Sequence, residues 1–177
     1  MQLFTTNRLC IRHFLMSDSD ACYDLMSNPN VMSAIPLGIS TREESDTKLQ
    51  HWIATNYTIG QRSFWAAVAL QDSNELIGMC AFLKNDEDQH AIAYRFREDF
   101  WGKGYGSEVA KGLIDFGFSQ LQMELITGDA WIKNESSMRI LGKFMTFVKE
   151  FPNPKDQLID RRFQISKAEW LEKNNGN

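Results

Sequence analysis

The chain reads as one α+β domain in which helices pack on a sheet, and three observations predict it. Short apolar or alternating segments recur as strands; segments with apolar residues at helical spacing fall between them behind cap residues. The third observation is the pair Phe64–Leu70 and Leu76–Leu83, which flank Gln71-Asp72-Ser73-Asn74 as a β-hairpin and so make part of the sheet antiparallel. With 177 residues, 43% of them apolar and 12% aromatic, the chain has the length and side chains for about one core. A single domain over 1–172 with a disordered tail at 173–177 is expected.

Taken in order, Met1 to Leu9 already alternates like a strand, and Arg8-Leu9-Cys10-Ile11-Arg12 is a clear one. Ser17 with Asp20 makes a capping-box start for a helix through Met26, which Asn28-Pro29-Asn30 stops. Ser40 with Glu43, or Thr41 with Glu44, caps a second helix whose Leu49, Trp52 and Ile53 share a face. After the hairpin, in which Gly78 signals a bulge or a close approach, Lys84–Gln89 is a charged turn and His90–Phe96 a strand. A helix from Ser107 then places Val109, Ala110, Leu113, Ile114, Gly117 and Phe118 on one broad face toward the sheet.

Leu125–Ile132 is a further strand. Asn134-Glu135-Ser136-Ser137 supplies caps for a helix carrying Met138, Leu141, Phe144 and Met145. Phe151-Pro152-Asn153-Pro154 marks a loop, Leu158–Ile165 a strand, and Ser166 with Glu169 caps a last turn through Leu171.

A net charge of −4 argues against broad binding to nucleic acid or anionic membranes, so an anionic ligand needs local geometry to hold it. Cys10, Cys22 and Cys80 are odd in number and widely spaced, which reads as reduced thiols in a cytoplasmic protein without a structural zinc. No apolar run approaches the roughly 18 residues of a membrane span.

The segment Phe100-Trp101-Gly102-Lys103-Gly104-Tyr105-Gly106-Ser107 carries the chemistry. A glycine-rich turn feeding a helix offers bare N–H groups at the positive end of the helix dipole, which suits phosphate. Gly102, Gly104 and Gly106 leave no Cβ in the way, and Lys103 adds charge. A plain tight turn would use the same residues. The segment has neither the order of a P-loop nor the full G-x-G-x-x-G of a dinucleotide site.

The order of these pieces resembles the GCN5-related N-acetyltransferases (GNAT), and within them the branch of the ribosomal-protein alanine N-acetyltransferases RimJ and RimL. The likeness runs through Thr6–Arg12, Ser27–Met32, Glu75–Gly78, Ile92–Phe96 with Phe100–Glu108, Asn134-x-x-Ser137 and Glu169-Trp170. It implies the GNAT fold, with a mixed and mostly antiparallel sheet flanked by helices. It also implies acetyl-CoA as cosubstrate, bound through the amides of Trp101, Gly102, Lys103, Gly104, Tyr105, Gly106 and Ser107, with Tyr94 and Phe96 pairing with the pantetheine arm. Asn134 would orient that arm or simply cap its helix. Ser137 would give the departing thiolate its proton, or be a cap residue.

The residue seven after the signature Asn, a tyrosine in many members, is Leu141, and the strand position that often holds a glutamate base is Ala91. The base is therefore unassigned: His90 faces the other side of a strand, and Asp129 either meets the substrate or satisfies a nearby backbone group or cation. Met145 stands where the family usually ends this helix with glycine, so the helix ends differently or runs on, and the region Phe147–Lys155 is where acceptor preference would vary. The expected reaction is acetyl transfer to a primary amine, on a small molecule or a protein N-terminus, without a metal. A catalytically silent CoA-binding domain is the alternative, and homodimerisation is left open.

Overall fold

A computed structural model describes residues 1–33, 38–55, 58, 60–153 and 157–175. Among them eight strands form one sheet. They are β1 (Gln2–Thr5), β2 (Leu9–Arg12), β3 (Phe64–Leu70), β4 (Leu76–Lys84), β5 (His90–Phe96), β6 (Leu125–Trp131), β7 (Thr146–Pro152) and β8 (Ile159–Ser166), in the order β1-β2-β3-β4-β5-β6-β8-β7. Every neighbouring pair is antiparallel except β5 and β6, which run parallel and are registered only at Ala91 and Thr127. The expected mixed, mostly antiparallel sheet is the one observed.

Helices cover both faces. On one face α1 (Ser19–Ser27), α2 (Pro29–Met32) and α3 (Arg42–Ala54) pack Cys22, Leu25, Met26, Val31 and Leu49 against Ala67 and Met79. On the other, α4 (Tyr105–Ser119) and α5 (Glu135–Phe144) pack Val109, Ala110, Leu113, Ile114 and Leu141 against Ala66, Val68, Cys80, Phe82 and Ile126. The alternation of β3 and β4 between these two cores explains why both strands read as nearly continuous apolar runs. No helix among the described residues is long and apolar enough to cross a membrane.

Several local expectations change. The strand at Arg8–Arg12 is the second arm of an N-terminal hairpin. The first helix starts at Ser19, not Ser17, because the Asp18 carboxylate anchors the entry: it accepts from Leu15 N–H at 2.8 Å and pairs with the Arg12 guanidinium at 2.8 and 2.9 Å. Thr41 and Glu44 do form the reciprocal box of α3. Gly78 serves both purposes expected of it, since a register shift lies beside it and a Cβ there would sit 2.5 Å from the Arg95 carbonyl.

At the far end, α5 stops at Phe144. Met145 is extended and buried, and leads straight into β7 without a glycine cap. Phe151 and Pro152, expected in a loop, close this strand; β7 is the sheet edge, where a missing N–H costs no ladder bond. Pro154 and Lys155 lie outside the described residues. Ser166 and Glu169 cap α6 (Lys167–Asn175), which runs past the expected Leu171 because Trp170 is buried and Asn174 Nδ2 donates back to its carbonyl at 2.7 Å. The tail expected at 173–177 is thus helical through Asn175, and Gly176 and Asn177 lie outside the described residues.

Candidate active site

The glycine segment lies between β5 and α4. Gly102 and Gly104 have φ of +74° and +81°, in the left-handed region that favours glycine, and Gly104 is the N-cap of α4. No side chain caps this helix, so its first amide N–H groups donate to no cap side chain. Because Gly104 already terminates the turn, α4 begins at Tyr105, two residues before the expected Ser107. Gly106 does something else: a Cβ there would lie 2.7 Å from Ile140 Cδ1, so its lack of a side chain lets α5 approach α4.

The N-terminal hairpin clamps this turn. Glu108, in the first turn of α4, accepts from Thr6 Oγ1 at 2.6 Å and from Arg8 N and Nε at 2.7 Å each. Arg8 also donates to the Lys103 carbonyl at 3.0 Å and lies 4.4 Å above the centre of the Tyr105 ring. Burial works to raise the Glu108 pKa, but the bonds from Thr6 and Arg8 outweigh it and hold the carboxyl below its usual range. The Lys103 ammonium lies over the Phe100 ring, at 5.0 Å.

Beyond Ala91 the parallel strands β5 and β6 part, and a cavity of about 490 Å³ opens through the sheet. It is reached from one face by Asn30, Val31, Ser33 and Arg95, and from the other by the glycine segment, Asn134, Ser137 and Ile140. Of the residues predicted to bind the cosubstrate, Tyr94, Phe96, Trp101, Gly102, Gly104, Tyr105, Gly106, Ser107 and Asn134 line it, and the Lys103 side chain does not. Arg97 N–H donates to Ile77 in β4, so the carbonyl of the same planar peptide, that of Phe96, turns toward the opening, where Trp101 Nε1 donates to it at 2.8 Å. By strand alternation the main-chain groups of Tyr94 also face the opening.

Ser137 and Asn134 separate cleanly. Asn134 is the cap of α5: its Oδ1 accepts from Ser137 N–H at 3.0 Å, which leaves Nδ2 without a partner among the described residues. The Ser137 hydroxyl takes no part in capping and lines the cavity. Beside it is the Tyr94 hydroxyl, buried and with no well-aligned partner among the described residues. Burial pushes this phenol up to about 12, and Ser137 offsets a smaller part. Leu141 is core, its side chain lying within 2.7 Å of where a Cβ on Gly128 would be.

The candidate bases are elsewhere. Asp129 makes a two-pronged pair with Arg162 at 2.8 Å to both Nε and Nη2, with Asp86 on the same guanidinium, so it satisfies a cation rather than facing the cleft. His90 does not line the cavity; burial and then Lys84 and Arg62 hold its pKa below the usual value. Among the described residues no carboxylate or imidazole lines the opening, whereas Arg95 and Lys133 do. Sequence reasoning missed Arg95, although a lone cation within the apolar run His90–Phe96 was a readable signal. Trp101 and Trp131 both line the cavity.

A family model described as an acetyltransferase (GNAT) domain matches residues 8–144. The chain is 30% identical over 172 residues to the N-acetyltransferase YnaD of Bacillus subtilis (strain 168), covering 94% of this chain and 98% of that one. Among solved structures, a GNAT-family acetyltransferase from Bacillus anthracis superposes with a TM-score of 0.79 at 25% identity over 93% of this chain and 98% of its own. RimL, a ribosomal alpha-N-protein acetyltransferase solved with coenzyme A, superposes with a TM-score of 0.75 at 16% identity, over 96% and 99%. The fold is thus shared with acetyltransferases along nearly the whole chain, and the protein belongs to the GNAT acetyltransferase family as an acetyl-CoA-dependent N-acetyltransferase.

Proposed function

We propose that the cavity between β5 and β6 is where acetyl-CoA and the acceptor amine meet, with Ser137 as the proton donor, in an enzyme of the RimJ/RimL-like branch. The observation that carries this is the convergence on one cavity of the bare first turn of α4, the open edge of β5 and the Ser137 hydroxyl, which takes no part in capping. The amides of Trp101–Ser107 hold the diphosphate at the positive end of α4, and the Tyr94 and Phe96 main chain lies along the pantetheine arm. Trp101 already occupies the Phe96 carbonyl, so Tyr94 provides the freer edge.

Acetyl-CoA supplies the acetyl thioester. As the amine nitrogen bonds to the acetyl carbon and the carbon–sulfur bond breaks, Ser137 Oγ gives its proton to the departing sulfur and regains one from solvent. The proton shed by nitrogen leaves through water in the cleft. Arg95 and Lys133 disfavour a third positive charge there and so favour the neutral amine.

The acceptor is a small-molecule amine or a protein N-terminus, and the setting is the cytoplasm, consistent with three free thiols. A homodimer fits the exposed Phe147 and Val148 on edge strand β7. Free-thiol release with a panel of amines tests the assignment of Ser137. Ser137→Ala is expected to lower kcat about 100-fold while KM for acetyl-CoA and the melting temperature stay close to wild type. Unchanged kcat removes Ser137 from proton transfer.

A further inference from the structure

Arg95 is withdrawn from solvent and has no acidic partner among the described residues. Its Nε lies 2.9 Å from Met79 Sδ, one terminal nitrogen 3.5 Å from Met32 Sδ, and its guanidinium carbon 5.5 Å from the centre of the Trp65 ring. Thioethers and an indole are weak partners for a guanidinium, which has five N–H groups to satisfy. The other arginines withdrawn from solvent hold carboxylates: Arg12 pairs with Asp18, Arg97 with Asp24 and Glu75, and Arg162 with Asp129 and Asp86. Burial lowers the Arg95 pKa to about 10, with the Cys22 thiol the one group offsetting it, so the guanidinium is charged at neutral pH yet uncompensated.

This charge is placed where a ligand can reach it. Arg95 lines the cavity from the α2 side, across the sheet from Ser137 and the first turn of α4. It shares a face of β5 with Ala91 and Ala93, whose small side chains leave room along the strand. A planar guanidinium fork matches a carboxylate, which can accept two parallel N–H bonds.

We propose that Arg95 is an anion subsite for the acceptor, and that the acceptor is a small amine carrying a carboxylate. This rests on the cleft being the site of acetyl transfer. The carboxylate seats on Arg95 and fixes the amine at the other end of the molecule toward the thioester. Arg95 is then a specificity-determining residue, and its sulfur and indole surroundings keep the charge unpaired until the acceptor arrives.

The test pairs amino-carboxylates, from glycine to 6-aminohexanoate, with the corresponding amines lacking the carboxylate, and follows free-thiol release. The wild type is expected to favour a carboxylate member by about 10- to 100-fold in kcat/KM, mostly through KM. Arg95→Met, which keeps the aliphatic stem, should erase that preference while leaving CoA affinity by calorimetry within about two-fold. Equal use of both members by the wild type, persistence of the preference in Arg95→Met, or transfer confined to peptide N-termini overturns the proposal. Turnover of no amine at all fails the acetyl-transfer reading instead. In that event thermal melting with CoA present decides on Arg95, which requires the amino-carboxylate to raise the melting temperature of the wild type more than its partner amine does. Should Arg95→Met not fold, competition by acetate and butyrate against the amine, beyond chloride at equal ionic strength, supports the subsite, and its absence overturns it.

Discussion

At the scale of single residues, Leu141 stands where many family members carry a tyrosine, and here that position is core. Leu141 fills the space above Gly128, where no side chain from β6 competes with it. Leu141→Tyr would restore the family's phenol but overpack this contact, so a loss of about 1–3 kcal/mol in urea denaturation is expected, with no recovery of activity when combined with Ser137→Ala. Asn134 allows its two possible roles to be separated. Asn134→Ala removes the acceptor for Ser137 N–H and should cost about 1 kcal/mol, whereas Asn134→Asp keeps that acceptor and should restore the unfolding midpoint. If the Nδ2 group also orients the cosubstrate, Asn134→Asp remains slow although fully stable. Wild-type turnover in that variant would leave Asn134 as a cap alone.

At the scale of elements, the glycine turn is a loop held by a distant hairpin. The Thr6, Arg8 and Glu108 bonds join residues about a hundred positions apart in the chain, and this is why sequence reading found the turn but not its clamp. Local patterns were legible: the Thr41–Glu44 box, the buried face of α4 and the hairpin around Gln71–Asn74 all follow from spacings within a few residues. Long-range pairs were not, so Asp129 stayed ambiguous until Arg162 was placed beside it, and Arg95 drew no notice until the absence of a carboxylate beside it, among the described residues, could be seen. Edge position, too, is invisible locally, which is why Pro152 read as a loop residue.

Gly104→Ala forces a side chain into the left-handed region, at about 1–2 kcal/mol, and should weaken CoA binding measurably more than Gly106→Ala. For Glu108 the sign follows from its depressed pKa: the stabilisation is present above the unfolded-state value near 4.3 and is lost as pH falls through the lower folded value. Glu108→Gln should therefore lower stability at pH 7 by about 1–3 kcal/mol and flatten the acid limb of a stability-against-pH curve.

For the whole molecule, the distribution of charge decides how the reaction depends on pH. The chain carries −4 overall, yet the charged side chains lining the cavity, among the described residues, are the cations Arg95 and Lys133. An acidic protein with cations confined to its cleft attracts an anionic ligand at short range only, so KM for a carboxylate-bearing acceptor should rise with ionic strength while kcat changes little. Among the described residues the same cleft offers no imidazole or carboxylate to take a proton, so the titration that governs kcat/KM for the acceptor belongs to the acceptor itself. Below its pKa the amine is protonated and cannot attack; each pH unit lower then costs about tenfold in rate, and above the pKa the rate is level. Two acceptors whose free pKa values differ by about two units should accordingly give rising profiles displaced from each other by about that amount. A protein base would instead produce the same inflection for both. His90→Ala should leave either profile in place, since His90 does not line the cavity; a shift of both inflections in that variant would return the base to β5.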